Sequence, residues 1–423
     1  MSFATLGLSP ALIRAVREQG YHAPTAIQAA AIPVILRGQD VLGLAQTGSG
    51  KTAAFALPLL QNLLQQRGAG VRQTRALVLV PTRELAAQVG EVLQALAQDL
   101  PTPIKVAIVY GGVSINPQMM ALRGGADIVV ATPGRLLDLL DNNALRLSAV
   151  TTLVLDEADR LLDMGFADEL QRVLALCPKG RQNLFFSATF APNVQALADG
   201  LLHEPERIEI ASEPERAAAI HQRSIQVDEN RRTPLLRHLL ETEGWTRVLV
   251  FVATKYATEH VSDKLWKQGI KAAALHGELS QGGRTKVLAA LKNSDIQVLV
   301  ATDVAARGLD IPDLPVVLNY DLPRSASDYT HRIGRTGRAG ESGVAISFVS
   351  GHSSNGEAHF RLIEKRQARR VPREQIAGFE PTDLDSAPSP TGGVKGLRKS
   401  KKDKLREAAA AAAAATAAGS AVA

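Results

Sequence analysis

Residues 45–52 read Ala45-Gln46-Thr47-Gly48-Ser49-Gly50-Lys51-Thr52 and continue an apolar run that begins at Val41. Glycines at this spacing let backbone N–H groups wrap a phosphate chain. Lys51 can then reach the terminal phosphate oxygens, and the Thr52 hydroxyl can hold Mg²⁺. A helix opening there adds the positive end of its dipole. The strict form of this loop has glycine where Ala45 stands; Lys51, Thr52 and the strand before them still set it apart from a plain glycine turn. Further on, Asp156-Glu157-Ala158-Asp159 follows a second apolar run, Thr152–Leu155. Carboxylates at the C-terminal end of a strand face the ligand crevice of an open α/β sheet. Phosphoryl transfer to water needs one acid at the metal and a second to orient and deprotonate the water. Asp156 and Glu157 fit those two roles. Without the phosphate loop they would read as an acidic first turn of a helix.

Arg332, Arg335 and Arg338 recur every three residues, which groups them on one side if the segment is helical. Guanidinium forks suit phosphate oxygens and the charge of a phosphoryl-transfer transition state. The second half of the chain has no phosphate loop, so these arginines would act on a ligand held by the first half. For Arg332 a solvated basic face stays an open alternative. Tyr21 and Gln28, upstream of the loop, have the chemistry to stack on a base and to pair with adenine N6 and N7. Taken alone, they would be a packing residue and a surface residue.

These groups need a scaffold, and the chain supplies alternating signals for one. Apolar runs at Val41–Ala45, Ala76–Val80, Lys105–Tyr110, Asp127–Ala131, Thr152–Leu155 and Asn183–Phe186 alternate with helical spacing, as at Arg83–Leu96 and Phe166–Leu176. The style repeats at Arg247–Val252, Lys271–Leu275, Gln297–Val300, Val316–Tyr320 and Gly343–Val349. Such alternation predicts βαβ units and a mainly parallel sheet in each half, covered by helices. The 423 residues suit two domains plus extra chain. The expected division is 1–212, a linker at 213–220, 221–370, and a low-complexity tail over 371–423. Seven cations between Lys395 and Arg406 face only Asp403 and Glu407, so the stretch 391–407 within that tail carries +5, against a net charge of +6 for the whole chain. A disordered, phosphate-attracting arm with an alanine-rich end is the reading. Cys177 is the single cysteine, so neither an internal disulfide nor a cysteine zinc site is expected. No apolar stretch reaches a membrane span, and the N-terminus does not read as a signal peptide. A cytoplasmic location is the expectation.

The motifs taken together resemble the DEAD-box family of superfamily 2 RNA helicases. They are Gly20–Gln28, AQTGSGKT at 45–52, PTREL at 81–85, Gly111-Gly112, TPGR at 132–135, DEAD at 156–159 and Ser187-Ala188-Thr189. VLVFVAT at 248–254, ATDVAARGLD at 301–310 and HRIGRTGR at 331–338 complete the set. The C-terminal segments are similar to the bacterial RhlE subgroup. The resemblance implies two tandem RecA-like domains with ATP, Mg²⁺ and RNA bound across their cleft. It makes Phe3, Tyr21 and Gln28 an adenine-recognition set, and an alanine at position 45 is normal in the family. Asp310 would meet the ribose, and Arg335 and Arg338 the γ-phosphate. Ser187 and Thr189 would couple the ATP site to strand separation through Asp159 and His331. Thr82, Arg83, Gly112, Thr132 and Arg135 would contact RNA in the first domain, and Thr254, Arg284 and Thr302 in the second.

Hydroxyls and glycines at those positions suit backbone contacts that ignore sequence. An aromatic content of 4% argues against a broad base-stacking platform. The expected activity is ATP-driven unwinding of short RNA duplexes or remodelling of RNA–protein complexes, by a monomer with ribosomal or RNA-decay proteins as candidate partners. An ATP-gated RNA clamp is the alternative.

Overall fold

The computed structural model describes residues 2–45, 48–65, 72–210, 220–306, 314–337, 342–350 and 356–382. Seven strands of the first half are β1 (Val41–Leu44), β2 (Ala76–Leu79), β3 (Val106–Val109), β4 (Ile128–Ala131), β5 (Thr152–Leu155), β6 (Gln182–Ser187) and β7 (Glu206–Glu209). They form one parallel sheet in the order β3-β4-β2-β5-β6-β1-β7. Seven more make the second sheet: β8 (Ile220–Gln226), β9 (Val248–Val252), β10 (Ala272–Leu275), β11 (Val298–Thr302), β12 (Val316–Asn319), β13 (Gly343–Val349) and β14 (Arg373–Glu374). Their order is β10-β11-β9-β12-β13-β8-β14, also parallel. Subtracting seven from each label turns the second order into the first. The two halves share one topology.

Successive residues of a strand point to opposite faces, and both faces of each sheet are packed. Val78, Val130, Val154 and Leu184 join one apolar cluster of the first domain. Leu77, Val129, Leu153 and Phe185, one step along the same strands, join the other. In the second sheet Val250 and Leu318 lie on one face, and Leu249 and Val317 on the opposite one. That is why these strands read as continuous apolar runs. Parallel pairing also brings every C-terminal strand end to the same edge. Ala45, Gly48–Gly50 and the segments 81–85, 132–135, 156–159 and 187–189 therefore share one crest.

Three strands were not anticipated. In β7 only Ile208 is buried, and β8 and β14 carry mostly polar residues. Ile220, assigned to the linker, is the first residue of β8, while 213–219 lie outside the described residues. The boundary at 370 is also corrected. Val371 is buried, β14 pairs with β8, and Thr382 donates its N–H and hydroxyl to Asp228 at 3.1 and 2.8 Å. The second domain thus runs to at least 382. Residues 383–423, the rest of the expected tail, lie outside the described residues.

Candidate active site

The phosphate loop closes on the helix Lys51–Gln65, of which Lys51 is the first residue. Its ammonium is buried and donates to the Ala45 carbonyl at 2.7 Å. Gly48 and Gly50 have φ of 81° and 94°, the left-handed region that side chains disfavour. At Gly50 a β-carbon would stand 2.5 Å from Gln28 Nε2. The absence of a side chain lets Gln28 donate to the Gly50 carbonyl at 3.1 Å, while Gln28 Oε1 accepts from Thr25 N–H at 3.0 Å. Each end of that amide keeps one further donor or acceptor position. Ser49 Oγ is buried with no hydrogen-bond partner among the described residues. Gln46 and Thr47 lie outside the described residues.

Asp156 and Glu157 leave the end of β5 and face the same loop. Burial pushes the Asp156 carboxyl up to about 6, against the pull of Lys51, and the charges of Glu157 and Asp159 add to the rise. The Glu157 N–H donates to Asp156 Oδ1 at 3.0 Å. Glu157 has φ of 52°, a left-handed conformation rare for a side chain of this kind. That backbone turns the chain sharply at the helix Ala158–Asp163 and leaves both acids at the crest. A cavity of about 580 Å³ is lined by Tyr21, Gln28, Gly48, Gly50, Lys51, Thr52, Asp156 and Glu157, with Arg335 reaching in from the second domain. Phe3 is buried in the first domain's core and is not among the lining residues. Asp310 and Arg338 lie outside the described residues.

Arg332 and Arg335 do not share a helix face. The helix Ala326–Ile333 ends at Gly334, so Arg335 follows it. Arg332 is 3% exposed and binds both Asp303 oxygens at 2.6 and 2.7 Å and Asn319 at 3.0 Å. It fastens this helix to the second sheet, so neither a phosphate contact nor a solvated face describes it. Asp159 accepts from the Thr189 N–H at 3.1 Å and the Thr189 hydroxyl at 2.9 Å. The Ser187 hydroxyl donates to the Thr189 carbonyl at 2.7 Å and accepts from the Thr189 N–H at 3.4 Å. Burial lowers His331 to about 4; the Arg160 and Arg335 charges push the same way, and Asp159 and Asp328 oppose them.

The expected RNA contacts cluster at helix N-termini on the two crests. Thr82, Thr254 and Thr302 each accept an N–H three residues on, at 3.2, 3.1 and 3.4 Å. Thr132 precedes the helix Pro133–Asp141 and accepts from Gly111 N–H at 3.4 Å. All four are thus capping or turn residues as well, which leaves each hydroxyl proton available. Gly112 has φ of 80°, and a β-carbon there would meet the Arg83 guanidinium at 2.9 Å. Arg135 is 8% exposed and donates to the Val113 carbonyl; its Nε lies 3.5 Å from Asp138, and among the described residues neither Nε nor Nη1 has a hydrogen-bond partner.

Arg284 has a further role at the joint between the domains. It is 3% exposed and its two terminal nitrogens go to the His276 and Ala305 carbonyls and to Glu84 of the first domain, at 2.7 Å, while its Nε has no hydrogen-bond partner among the described residues. It is a strut between the domains. Arg160–Asp328, at 3.3 Å, is a second bridge between them. Sequence reasoning missed both, because partners so far apart in the chain leave no local pattern. Among the described residues no group of three or more His, Cys, Asp or Glu side chains could hold a metal by itself, and no helix is long and apolar enough to cross a membrane.

Comparison with known proteins adds an independent line. Family models described as DEAD/DEAH box helicase and helicase conserved C-terminal domain match residues 25–197 and 231–340. The ATP-dependent RNA helicase DeaD of Mycobacterium tuberculosis is 44% identical over 380 residues, covering 90% of this chain and 66% of that protein. The ATP-dependent RNA helicase CshA of Listeria monocytogenes is 41% identical over 369 residues, covering 87% and 69%. The chain thus spans about two thirds of the length of these relatives. Dbp5 of S. cerevisiae bound to RNA and ADP BeF3 superposes with a TM-score of 0.77 at 32% identity, over 90% of this chain and 96% of that one. A DEAD box protein from Methanococcus jannaschii gives 0.51 at 39% identity, over 88% and 99%. The two bacterial relatives are of DeaD and CshA type; they speak for the family and not for one subgroup within it.

Proposed function

The chain belongs to the DEAD-box family of ATP-dependent RNA helicases, with two tandem RecA-like domains, and from that premise we propose that it hydrolyses ATP to clamp, bend and release RNA. One observation carries the reading: Lys51, Asp156 and Glu157 share a cavity with Arg335 of the other domain. A split site of this kind favours the closed arrangement whenever ATP occupies it. If RNA also touches both crests, each ligand strengthens the binding of the other.

Tyr21 and Gln28 would take the adenine, with the remaining valences of the Gln28 amide facing its edge. Lys51 and the loop N–H groups would hold the phosphates, and Glu157 would orient and deprotonate the attacking water. Arg335 would meet charge developing on the transferred phosphoryl group. Mg²⁺ fits here. Asp156 is a buried carboxylate that needs a cation to stay charged, and with Thr52, which lines the same cavity, it would hold the ion together with phosphate oxygens and water. Such a metal would neutralise phosphate charge.

Thr82, Thr132, Thr254 and Thr302 stand at helix or turn N-termini, suited to backbone phosphates. Binding of this kind is sequence-independent, and preference for RNA would come from backbone shape and 2′-OH groups. A cytoplasmic location and a monomeric working form go with this reading. The deciding experiment measures ATP hydrolysis by the full chain with short RNA and DNA duplexes of one sequence. RNA should stimulate hydrolysis strongly and DNA weakly. Equal stimulation by both would sink the RNA assignment, and no hydrolysis with either would sink the catalytic one.

A further inference from the structure

Arg160 follows the acidic quartet directly and is 7% exposed, with no part in the ATP cavity. Its Nη1 lies 3.3 Å from Asp328 Oδ1 in the second domain and 3.7 Å from Asp163 on its own helix. Asp328 is aimed by its own helix start. Ser325 Oγ accepts from Asp328 N–H at 3.0 Å and donates to Asp328 Oδ2 at 2.8 Å, which leaves Oδ1 turned to Arg160. The helix that begins there, Ala326–Ile333, carries His331 one turn on, and Arg335 follows its end. Arg332 welds the same helix to the second sheet through Asp303 and Asn319. The helix is therefore a rigid part of the second domain. Its front end is tied to the first domain, and the residue two places past its rear end lines the ATP cavity.

We propose that Arg160 and Asp328 form a latch that registers the second domain on the first and so delivers Arg335 to the nucleotide. Arg160 touches no substrate in this scheme; it is a positioning residue. Asp163 keeps a carboxylate beside the guanidinium when the domains part, so opening does not strand a buried unpaired cation, whose cost would otherwise be high. The latch rests on the proposed ATPase, and the test separates the two.

The test is a double-mutant cycle on the full chain, read as kcat of RNA-stimulated ATP hydrolysis and as energy transfer between dyes on the two domains. Arg160→Gln and Asp328→Asn should each lower kcat about tenfold and reduce the closed fraction, and the double variant should be no worse than either single. Affinity for ATP without RNA and the melting temperature should stay close to wild type, which a merely structural role would not allow. The exchange of charges, Arg160→Asp with Asp328→Arg, should recover closure. If the exchanged variant does not fold, the neutral cycle still decides. Single effects that multiply, or a kcat that does not move, would overturn the latch. A wild-type protein without RNA-stimulated hydrolysis would instead overturn the function on which it rests.

Discussion

The two domains share a strand order but treat their crests in opposite ways. In the first, the helix after β1 opens with Lys51, and the acids after β5 face it across a cavity. Burial raises Asp156 to about 6, a state that a bound cation would relieve. In the second, the helix after β8, Arg232–Thr242, opens with Arg232. That guanidinium binds Asp321, just past β12, at 2.8 Å and Ser350, just past β13, at 2.8 Å. Asp321 also accepts the Ala253 N–H at 2.8 Å. The same position in the fold is thus a strained cradle lining a cavity in one copy and a satisfied ion pair in the other. One topology positions groups at its crest; whether the crest binds a ligand depends on what those groups already hold. The second domain keeps its own crest closed and lends Arg335 and His331 to the joint.

The hardest blow to this contrast falls on Glu157. Glu157→Gln should keep ATP and RNA binding and lower kcat by about a thousandfold or more, of order 4 kcal/mol of transition-state stabilisation. Single-turnover hydrolysis, with nucleotide binding measured separately, checks it. Hydrolysis near the wild-type rate would mean that the strained backbone at Glu157 does not serve water activation.

The scaffold and the nucleotide residues were legible because they obey local rules. Buried parallel strands are continuous apolar runs, and the phosphate loop is contiguous. The strands that escaped notice lack that signal. The polar residues of β8 are held by distant charges: Arg223 binds Glu374 at 2.8 Å and Glu243 at 2.9 Å. Arg373, read as tail, binds Glu357 and buried Glu364, each at 2.9 Å. Such strands depend on partners that no short window contains. The same limit hid the roles of Arg284 and Arg332, whose carboxylates come from another domain and another element. Glu157 was chosen for its chemistry, and nothing in the sequence foretold its left-handed backbone.

The next largest effect concerns what the second domain lends. His331 titrates near 4 in the closed arrangement, against an ordinary 6.5. Burial at the joint and the charges of Arg160 and Arg335 disfavour its protonated form, while Asp159 and Asp328 favour it. The closed state therefore binds fewer protons than the open one. Its stability is complete above 6.5 and falls as pH drops toward 4, by up to about 3 kcal/mol. Energy transfer between labelled domains, with a nonhydrolysable ATP analogue, should show opening in that window. His331→Asn should flatten the profile. A wild-type profile that stays level from pH 7 to 4.5 would place His331 outside the joint.

The smallest effect tests the comparison itself, because two substitutions of the same kind on the two crests should act with opposite sign. Without ligand, the stability that goes with the raised Asp156 is fully present below its ordinary value of 3.8 and is lost as pH rises through about 6. At neutral pH its charge costs about 1–3 kcal/mol. Asp156→Asn should therefore stabilise the first domain's unfolding transition while abolishing turnover. Asp321→Asn should destabilise the second domain by about 1–2 kcal/mol, since it leaves Arg232 without its closest carboxylate in a site that is 14% and 23% exposed. It should leave kcat within about twofold, because Asp321 lies outside the cavity. Urea unfolding at pH 7, with each domain's transition followed separately, reads both. If both substitutions destabilised, Asp156 would be an ordinary structural acid, and the first crest would be no more prepared for a ligand than the second.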